Sequence, residues 1–331
     1  MQLVLLAAGF GRRFGGLKQL APVGPNGEAI MDYTVGSAIR AGFDEVVLIV
    51  REEVQKELLD HVREHWAPGL RVTPVVQGPV AGTAQAVASA ASHITGPFGV
   101  ANADDLYGDD GFATLANQLR SLGSFGEGGG DPGRLDPAGG DPRRLDPAGG
   151  DPRRLDPAGG DPRRLATSGE HVIVAYRLAD TIIGNGLVTR GICRVDETGH
   201  LTELVEHMVY QGHDGLFLGR PLGAGDDFPG TELIGDEETS MNLWGFDPQI
   251  FDHLDTALAG FDQSSIPEVD GKPPELLLPS VVSDLVRDRR ATVRVILTKG
   301  RCIGITHPDD LPAVRTILAE HGAPPGMTGG S

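Results

Sequence analysis

Two short apolar runs, QLVLLA at 2–7 and EVVLIV at 45–50, flank the stretch IMDYTVGSAIRAGF at 30–43, whose apolar residues recur at helical spacing and which closes on Gly42. A strand, a helix and a second strand in so short a span leave the two strands one way to pair. They are expected to lie parallel, because the helix carries the chain back to the starting edge between them, whereas a tight turn would leave the strands antiparallel. The alternation continues with a helix over REEVQKELLDHVREHW, a strand over RVTPVVQ, a helix over GTAQAVASAASHI and a strand over PFGVANAD. The expected fold class is α/β: a Rossmann-like, mostly parallel sheet with helices on both faces. Ligands of such sheets sit beyond the carboxyl ends of the strands, so the loops after Leu6, Val76 and Ala103 are the places to look.

From Asp131 to Leu165 the pattern stops, and a ten-residue unit of the form DPRRLDPAGG runs three and a half times. Its Pro and Gly residues oppose helix and ladder alike, and its few Leu and Ala residues cannot offset the entropy of ordering. The expectation is an expanded, disordered surface loop rather than a partner-binding arm, since loops tolerate long insertions at small entropic cost. Beyond it HVIVAYRL, GICRVDETGHLTELVE and TSMNLWGF read as strands joined by hairpin turns. Helices over PQIFDHLDTAL, PELLLPSVVSDLVRD and DDLPAVRTILAEH and a strand over ATVRVIL complete the chain. The domain reading is a first α/β part at 1–125, a low-complexity insert at 126–168, a smaller β-rich part of the same domain at 169–320, and a flexible tail at 321–331.

The formal net charge of −18 argues against nucleic-acid and anionic-membrane partners, which need a basic footprint. Seven Asp and seven Arg cancel within 131–165, so the acidity belongs to the rest of the protein. Cys193 and Cys302 stand far apart with no metal-ligand spacing around them, which fits a reducing cytoplasm. No apolar run is long enough to span a bilayer.

Against that acidity stands LLAAGFGRRFGGLKQL at 5–20, with glycines at 9, 11, 15 and 16 and cations at 12, 13 and 18. Glycines allow close backbone approach to a ligand, and the cations point to phosphate. A Walker A loop needs Ser or Thr after its Gly-Lys, but Lys18 follows Leu17 and precedes Gln19. A dinucleotide fingerprint needs a third glycine after Gly11 and an acid at the end of the second strand, where Val50 is followed by Arg51. The remaining reading is an NTP triphosphate wrapped by Gly9 and Gly11, with Arg13 and Lys18 on its phosphates.

This loop resembles the signature of the sugar-1-phosphate nucleotidyltransferases, also called NDP-sugar pyrophosphorylases. The resemblance extends through QGPVAGTAQAV, VANADDLYG, GICRVDETGHLTELVEH, MNLWGFDPQIF and GITHPDDLPAV, nearly the whole chain apart from the repeat. It implies a nucleotidyltransferase-A-like fold and a Mg²⁺-dependent reaction in which a sugar 1-phosphate attacks the α-phosphorus of an NTP and pyrophosphate leaves. It further implies Arg13 and Lys18 as catalytic cations, and Leu6, Ala8, Gly9, Gly11, Gln77, Gly82 and Thr83 as the nucleotide site. Gln77 and the Gly82 backbone would read a pyrimidine-sized base, and Thr83 has a helix N-cap as its alternative role. Gly191, Glu206 and Asn242 would hold the sugar. Asp104 would bind the metal, with Asp105 as its rival and the cap of a helix near Gly108 as the alternative role for Asp105. His207 stands where such enzymes often carry Lys, and Gly304 where they often carry a second metal-binding Asp. The same loop also resembles methylerythritol-phosphate cytidylyltransferases and molybdenum-cofactor guanylyltransferases, whose chains are much shorter. A reading of another class, a non-catalytic nucleotide-sugar sensor or scaffold, is disfavoured by the joint presence of Arg13, Lys18 and Asp104.

Overall fold

A computed structural model describes residues 1–9, 17–80, 82–126, 169–183, 186–212, 215–224, 228–266, 274–305 and 308–321. Nearly all of the insert and of the tail read from the sequence lies outside the described residues, as do Gly11, Arg12 and Arg13.

The first half builds as its periodicity requires. Strands β1 (Gln2–Leu6), β2 (Glu45–Val50), β3 (Arg71–Val76) and β4 (Phe98–Asn102) pair in parallel in the order β3-β2-β1-β4. Helices α1 (Ile30–Ala41), α2 (Glu52–His65), α3 (Thr83–Ala88) and α4 (Gly108–Gly126) alternate with them. Gly42 ends α1 at φ +97°, a left-handed conformation that glycine adopts without penalty. The helix read at 82–94 is shorter than expected. α3 stops at Ala88, because the Ser89 hydroxyl donates to the Gln85 carbonyl (2.8 Å) and accepts from the Gly78 amide (3.0 Å), and a short 3-10 turn follows.

The small β5 (Asp105–Leu106) follows β4. The second half then adds β6 (Glu170–Arg177), β7 (Val188–Val195), β8 (Leu201–Gln211), β9 (Phe217–Pro221), β10 (Thr231–Leu233) and β11 (Glu238–Phe246) to the same sheet. Helices α5 (Ile250–Gly260) and α6 (Leu278–Arg287), strands β12 (Thr292–Leu297) and β13 (Ile303–Gly304) and helix α7 (Leu311–His321) follow. The sheet runs β10-β9-β8-β7-β11-β4-β1-β2-β3, with β6 beside β11 and β12 parallel to β6. The β-rich part is therefore an antiparallel extension of the parallel half, joined where β11 lies antiparallel to β4.

Alternate residues of each central strand enter opposite cores, the period-two pattern of a sheet covered on both faces. Leu3, Leu5, Val46 and Leu48 pack with residues of α1, α2 and α4, while Val4, Val47, Ile49 and Val100 pack with α3, α5 and α6. β13 pairs with β5, not with the large sheet, and sets Gly304 opposite Asp105. No helix among the described residues is long and apolar enough to cross a membrane.

Candidate active site

The carboxyl ends of β1 and β4 converge. Ala7 N donates to Ile49 O and Ala103 N donates to Leu6 O, so the ladder continues one residue past each strand and fixes the exits of both loops. Ala8 is buried, whereas Gly9 is exposed with open space where a Cβ would stand. The far end of the glycine loop returns in a 3-10 turn over Lys18–Leu20. The buried Gln19 amide donates to the Ala7 carbonyl (2.9 Å), which cinches the two ends of the loop together. Arg51 Nε donates to the Ala8 carbonyl from the end of β2, at 2.9 Å.

This closure aims Lys18. Its Nζ meets Asp104 Oδ2 at 2.8 Å, with the lysine side chain 15% exposed and the carboxylate 39% exposed. The pair therefore joins the cationic loop to the end of β4 and keeps one carboxylate edge toward solvent. Gly11 and Arg13 lie outside the described residues.

Asp105 does not cap α4. It lies in β5, partly buried, and Oδ2 accepts from Asn102 Nδ2 at 2.9 Å. Burial, and next the charge of Asp104, push its carboxyl up to about 6, against the opposing pull of Lys18, the Asn102 hydrogen bond and Arg190. The helix-cap reading fails because the two-residue pairing with β13 holds Asp105 extended, three residues ahead of the helix. Thr34 from α1 donates to its carbonyl at 2.6 Å.

Gln77 follows β3, and its Nε2 donates to the carbonyls of Val80 (3.2 Å) and Gly82 (3.3 Å), so the side chain shapes its own loop. Gly82 has φ +114°, and a Cβ there would lie 2.2 Å from the Leu276 carbonyl oxygen. Thr83 is not the N-cap, a position that Gly82 takes. It is the first residue of α3, and its hydroxyl accepts from the Leu278 amide at 2.8 Å. Its side chain thus ties α3 to the start of α6. Gly82→Ala is expected to destabilise the fold by about 3 kcal/mol, because it combines a left-handed φ with backbone overlap. Thermal unfolding checks this, and an unchanged Tm would contradict it.

The register of β7 with β8 sets Gly191 opposite Glu206, and that of β7 with β11 sets it opposite Ser240. A Cβ at Gly191 would approach Leu204 Cδ1 (3.0 Å), Ser240 Cβ (3.3 Å) and Glu206 Oε1 (3.4 Å), so any side chain there would press on these three neighbours. Burial raises the Glu206 carboxyl, and Arg190 pulls the other way. Asn242 forms a bulge in β11 at φ +61°, with its amide N–H on Ser240 Oγ and its Oδ1 accepting from Trp244 Nε1, both at 3.3 Å. Trp244 pairs with Val100, which brings Asn242 level with the end of β4. His207 is opposite Arg190, and its Nδ1 is 2.8 Å from the Val205 carbonyl oxygen.

Three further contributors have no role assigned from the sequence. The buried Tyr107 hydroxyl accepts from Asn102 N (3.0 Å) and donates to Met241 O (2.8 Å), clamping the end of β4 to the β11 bulge. Gln19 closes the loop, and Arg190 stands behind Asp105 and Glu206. No signal in β7 singles out Arg190, since the strand also carries Thr189 and Arg194.

Residues 3–123 match the MobA-like NTP transferase domain family. Over that stretch, little more than a third of its length, the chain is similar to an NTP transferase domain. No curated protein sequence matches it. The solved structure of the inositol-1-phosphate CTP transferase from T. maritima is 12% identical, with a TM-score of 0.57 over 97% of each chain. UDP-glucose pyrophosphorylase complexed with UDP-glucose is 13% identical over 97% of this chain and 98% of that one, with a TM-score of 0.56. The UTP-bound UGPase from Acinetobacter baumannii is 14% identical over 97% and 93%, with a TM-score of 0.54. At these identities the likeness is one of fold, and it spans the β-rich second half as well as residues 3–123.

Proposed function

We propose that the protein joins an NTP to a sugar 1-phosphate, giving an NDP-sugar and pyrophosphate. The observation that carries this reading is the convergence of the Lys18–Asp104 pair with Gly191 and Glu206 at one end of one sheet, across the junction of β4 and β11. The family match covers the nucleotide half, and the solved enzymes of similar fold, two named for UDP-glucose or UTP and one for CTP and inositol 1-phosphate, cover the whole chain.

The attacking group would be a phosphate monoester whose second pKa is about 6, so it is already largely dianionic at neutral pH and needs no protein base. What the protein must supply is positive charge and orientation. Lys18 and Arg13 would meet the NTP phosphates, with Leu6, Ala8, Gly9 and Gly11 allowing backbone approach. Gln77 and Gly82 would present a pyrimidine-sized edge to the base, while Glu206 and Asn242 would hold sugar hydroxyls beside Gly191.

Among the described residues no group of three or more His, Cys, Asp or Glu side chains is placed to hold a metal alone. That suits Mg²⁺, which binds through one or two carboxylates and takes its other oxygens from phosphates and water. Asp104 would hold it, with Asp105 as its rival for that role, and it would supply positive charge against the phosphates of the two substrates. Gly304 offers no ligand from β13. A cytoplasmic location belongs to this same reading.

The test is a pyrophosphate-release screen of the purified protein with four ribonucleoside triphosphates and dTTP crossed with a panel of sugar 1-phosphates. Turnover with a pyrimidine nucleotide and a sugar phosphate is expected. Turnover only with GTP and no sugar phosphate would replace this reading with a guanylyltransferase acting on another acceptor.

A further inference from the structure

Arg51 is the first residue after β2 and the last before α2, a place where a cation does not serve the helix. The positive end of the helix dipole disfavours it there, and its side chain makes no capping bond to α2. The charge that suits the first turn comes from Glu52 and Glu53. The half-buried Arg51 side chain reaches back toward β1 instead, where Nε donates to the Ala8 carbonyl at 2.9 Å. Val50, the residue before it, receives the Gln77 amide at 2.9 Å. Arg51 therefore stands between the loop that leaves β1 and the loop that leaves β3, the two segments proposed above to meet the triphosphate and the base.

The two ends of the glycine loop are held by different side chains. Gln19 takes the Ala7 carbonyl and sits next to Lys18, whereas Arg51 takes the following carbonyl, that of Ala8, directly ahead of Gly9. Glycine loses more conformational freedom on ordering than any other residue, and Gly9 has no side chain to hold it. A hydrogen bond on the carbonyl just before it sets the direction in which the loop departs, so less freedom remains to be lost when a ligand binds.

We propose that Arg51 is a positioning residue for the NTP: through the Ala8 carbonyl it sets the start of the glycine loop, and it acts on nucleotide binding rather than on the chemical step. This rests on the transferase reading above and deepens it by separating the two tethers of one loop. Arg51 fixes backbone that would meet the phosphates equally in the ground state and the transition state. Gln19 fixes the turn that carries Lys18, whose charge counts most as charge develops on the phosphate oxygens.

Glutamine carries its amide nitrogen as many bonds from the backbone as arginine carries Nε, so Arg51→Gln keeps the donor without the charge. Arg51→Met removes both, and Arg51→Lys keeps the charge but places it one bond further out. In steady-state assays Arg51→Met is expected to raise the KM for NTP about tenfold, with kcat and the acceptor KM within about twofold of the parent, and Arg51→Gln is expected to stay close to the parent. Gln19→Met should show the converse, a fall in kcat larger than the rise in the KM for NTP. Binding is also read without turnover, as the rise in Tm that UTP, CTP, ATP or GTP gives in the presence of Mg²⁺. The largest such rise in the parent should shrink for Arg51→Met and return for Arg51→Gln. An unchanged KM for NTP in Arg51→Met, equal shifts in both KM values, or a loss confined to kcat would overturn the assignment. Function kept by Arg51→Lys and lost by Arg51→Gln would also overturn it, by placing the charge itself on the phosphates. If the substrate screen finds no transferase activity while nucleotide protection still depends on the donor at Arg51, the positioning role stands and the transferase reading falls. Should Arg51→Met fail to fold, Arg51→Gln against Arg51→Lys carries both measurements.

Discussion

Lys18→Ala is expected to lower turnover by at least ~100-fold at saturating NTP and Mg²⁺, with the fold intact. The 3-10 turn that carries the lysine is held by the Gln19–Ala7 hydrogen bond, not by the lysine itself, so removing the ammonium leaves the loop closed. What is lost is a point charge, mostly shielded from water, next to the carboxylate of Asp104, for which we propose the metal-binding role. Lys18→Arg should recover only part of the activity, because a planar fork cannot occupy the site of a compact ammonium. The two effects of the lysine can be separated. If it served only as the counter-ion of Asp104, the alanine variant would show a lowered Mg²⁺ requirement and near-normal turnover in excess metal. If it acts on the phosphates, turnover stays low at every Mg²⁺ concentration. Pyrophosphate release across a Mg²⁺ titration decides between them, and circular dichroism confirms the fold.

The parallel half was legible because its evidence is local. Each apolar run of β1, β2 and β4 lies beside a helical repeat, and Gly42 stops α1 at the expected position. Asp104 sits just past the carboxyl end of β4, but Lys18 reaches it only because Gln19 ties the far end of the glycine loop back to Ala7, beside the end of the adjacent parallel strand β1. Legibility ended where pairing is long-range. β9 and β10 lie in a stretch from Gly212 to Asp236 dense in Gly, Pro and Asp, whose turn signals mask two short strands that exist because β8 offers an edge to β9 and β9 offers one to β10. Asp105 sits three residues ahead of Gly108, and only the pairing of β5 with β13, about two hundred residues away in the chain, takes it out of a capping position. Arg190 follows the same rule. Nothing within VTRGICRV reveals that Thr181 receives its guanidinium, or that Gly304 stands next to it.

Asp104 and Asp105 are neighbours in sequence but occupy different environments, and paired substitutions should separate them. Asp104→Asn is expected to remove most turnover and raise the Mg²⁺ requirement, because a neutral amide oxygen replaces a charged ligand for a hard cation. NTP binding should weaken far less, since the glycine loop and the segment from Gln77 to Thr83 are untouched. Asp105→Asn should lose less turnover and reveal itself in stability. The folded state raises this carboxyl from an ordinary value near 3.8 to about 6, so between those values the native protein binds more protons than the unfolded chain. The stability contributed by protonated Asp105 is therefore fully present below pH ~4, falls as the pH rises through ~6, and is absent at neutrality. An asparagine keeps an acceptor for Asn102 Nδ2 and carries no charge to bury, so Asp105→Asn should raise the Tm near pH 7.5 and change it little near pH 4. Melting curves at the two pH values check that sign. A lower Tm at pH 7.5 would show that the ionised form is held by contacts that outweigh its burial, and a raised Mg²⁺ requirement for Asp105→Asn alone would move the metal from Asp104 to its neighbour.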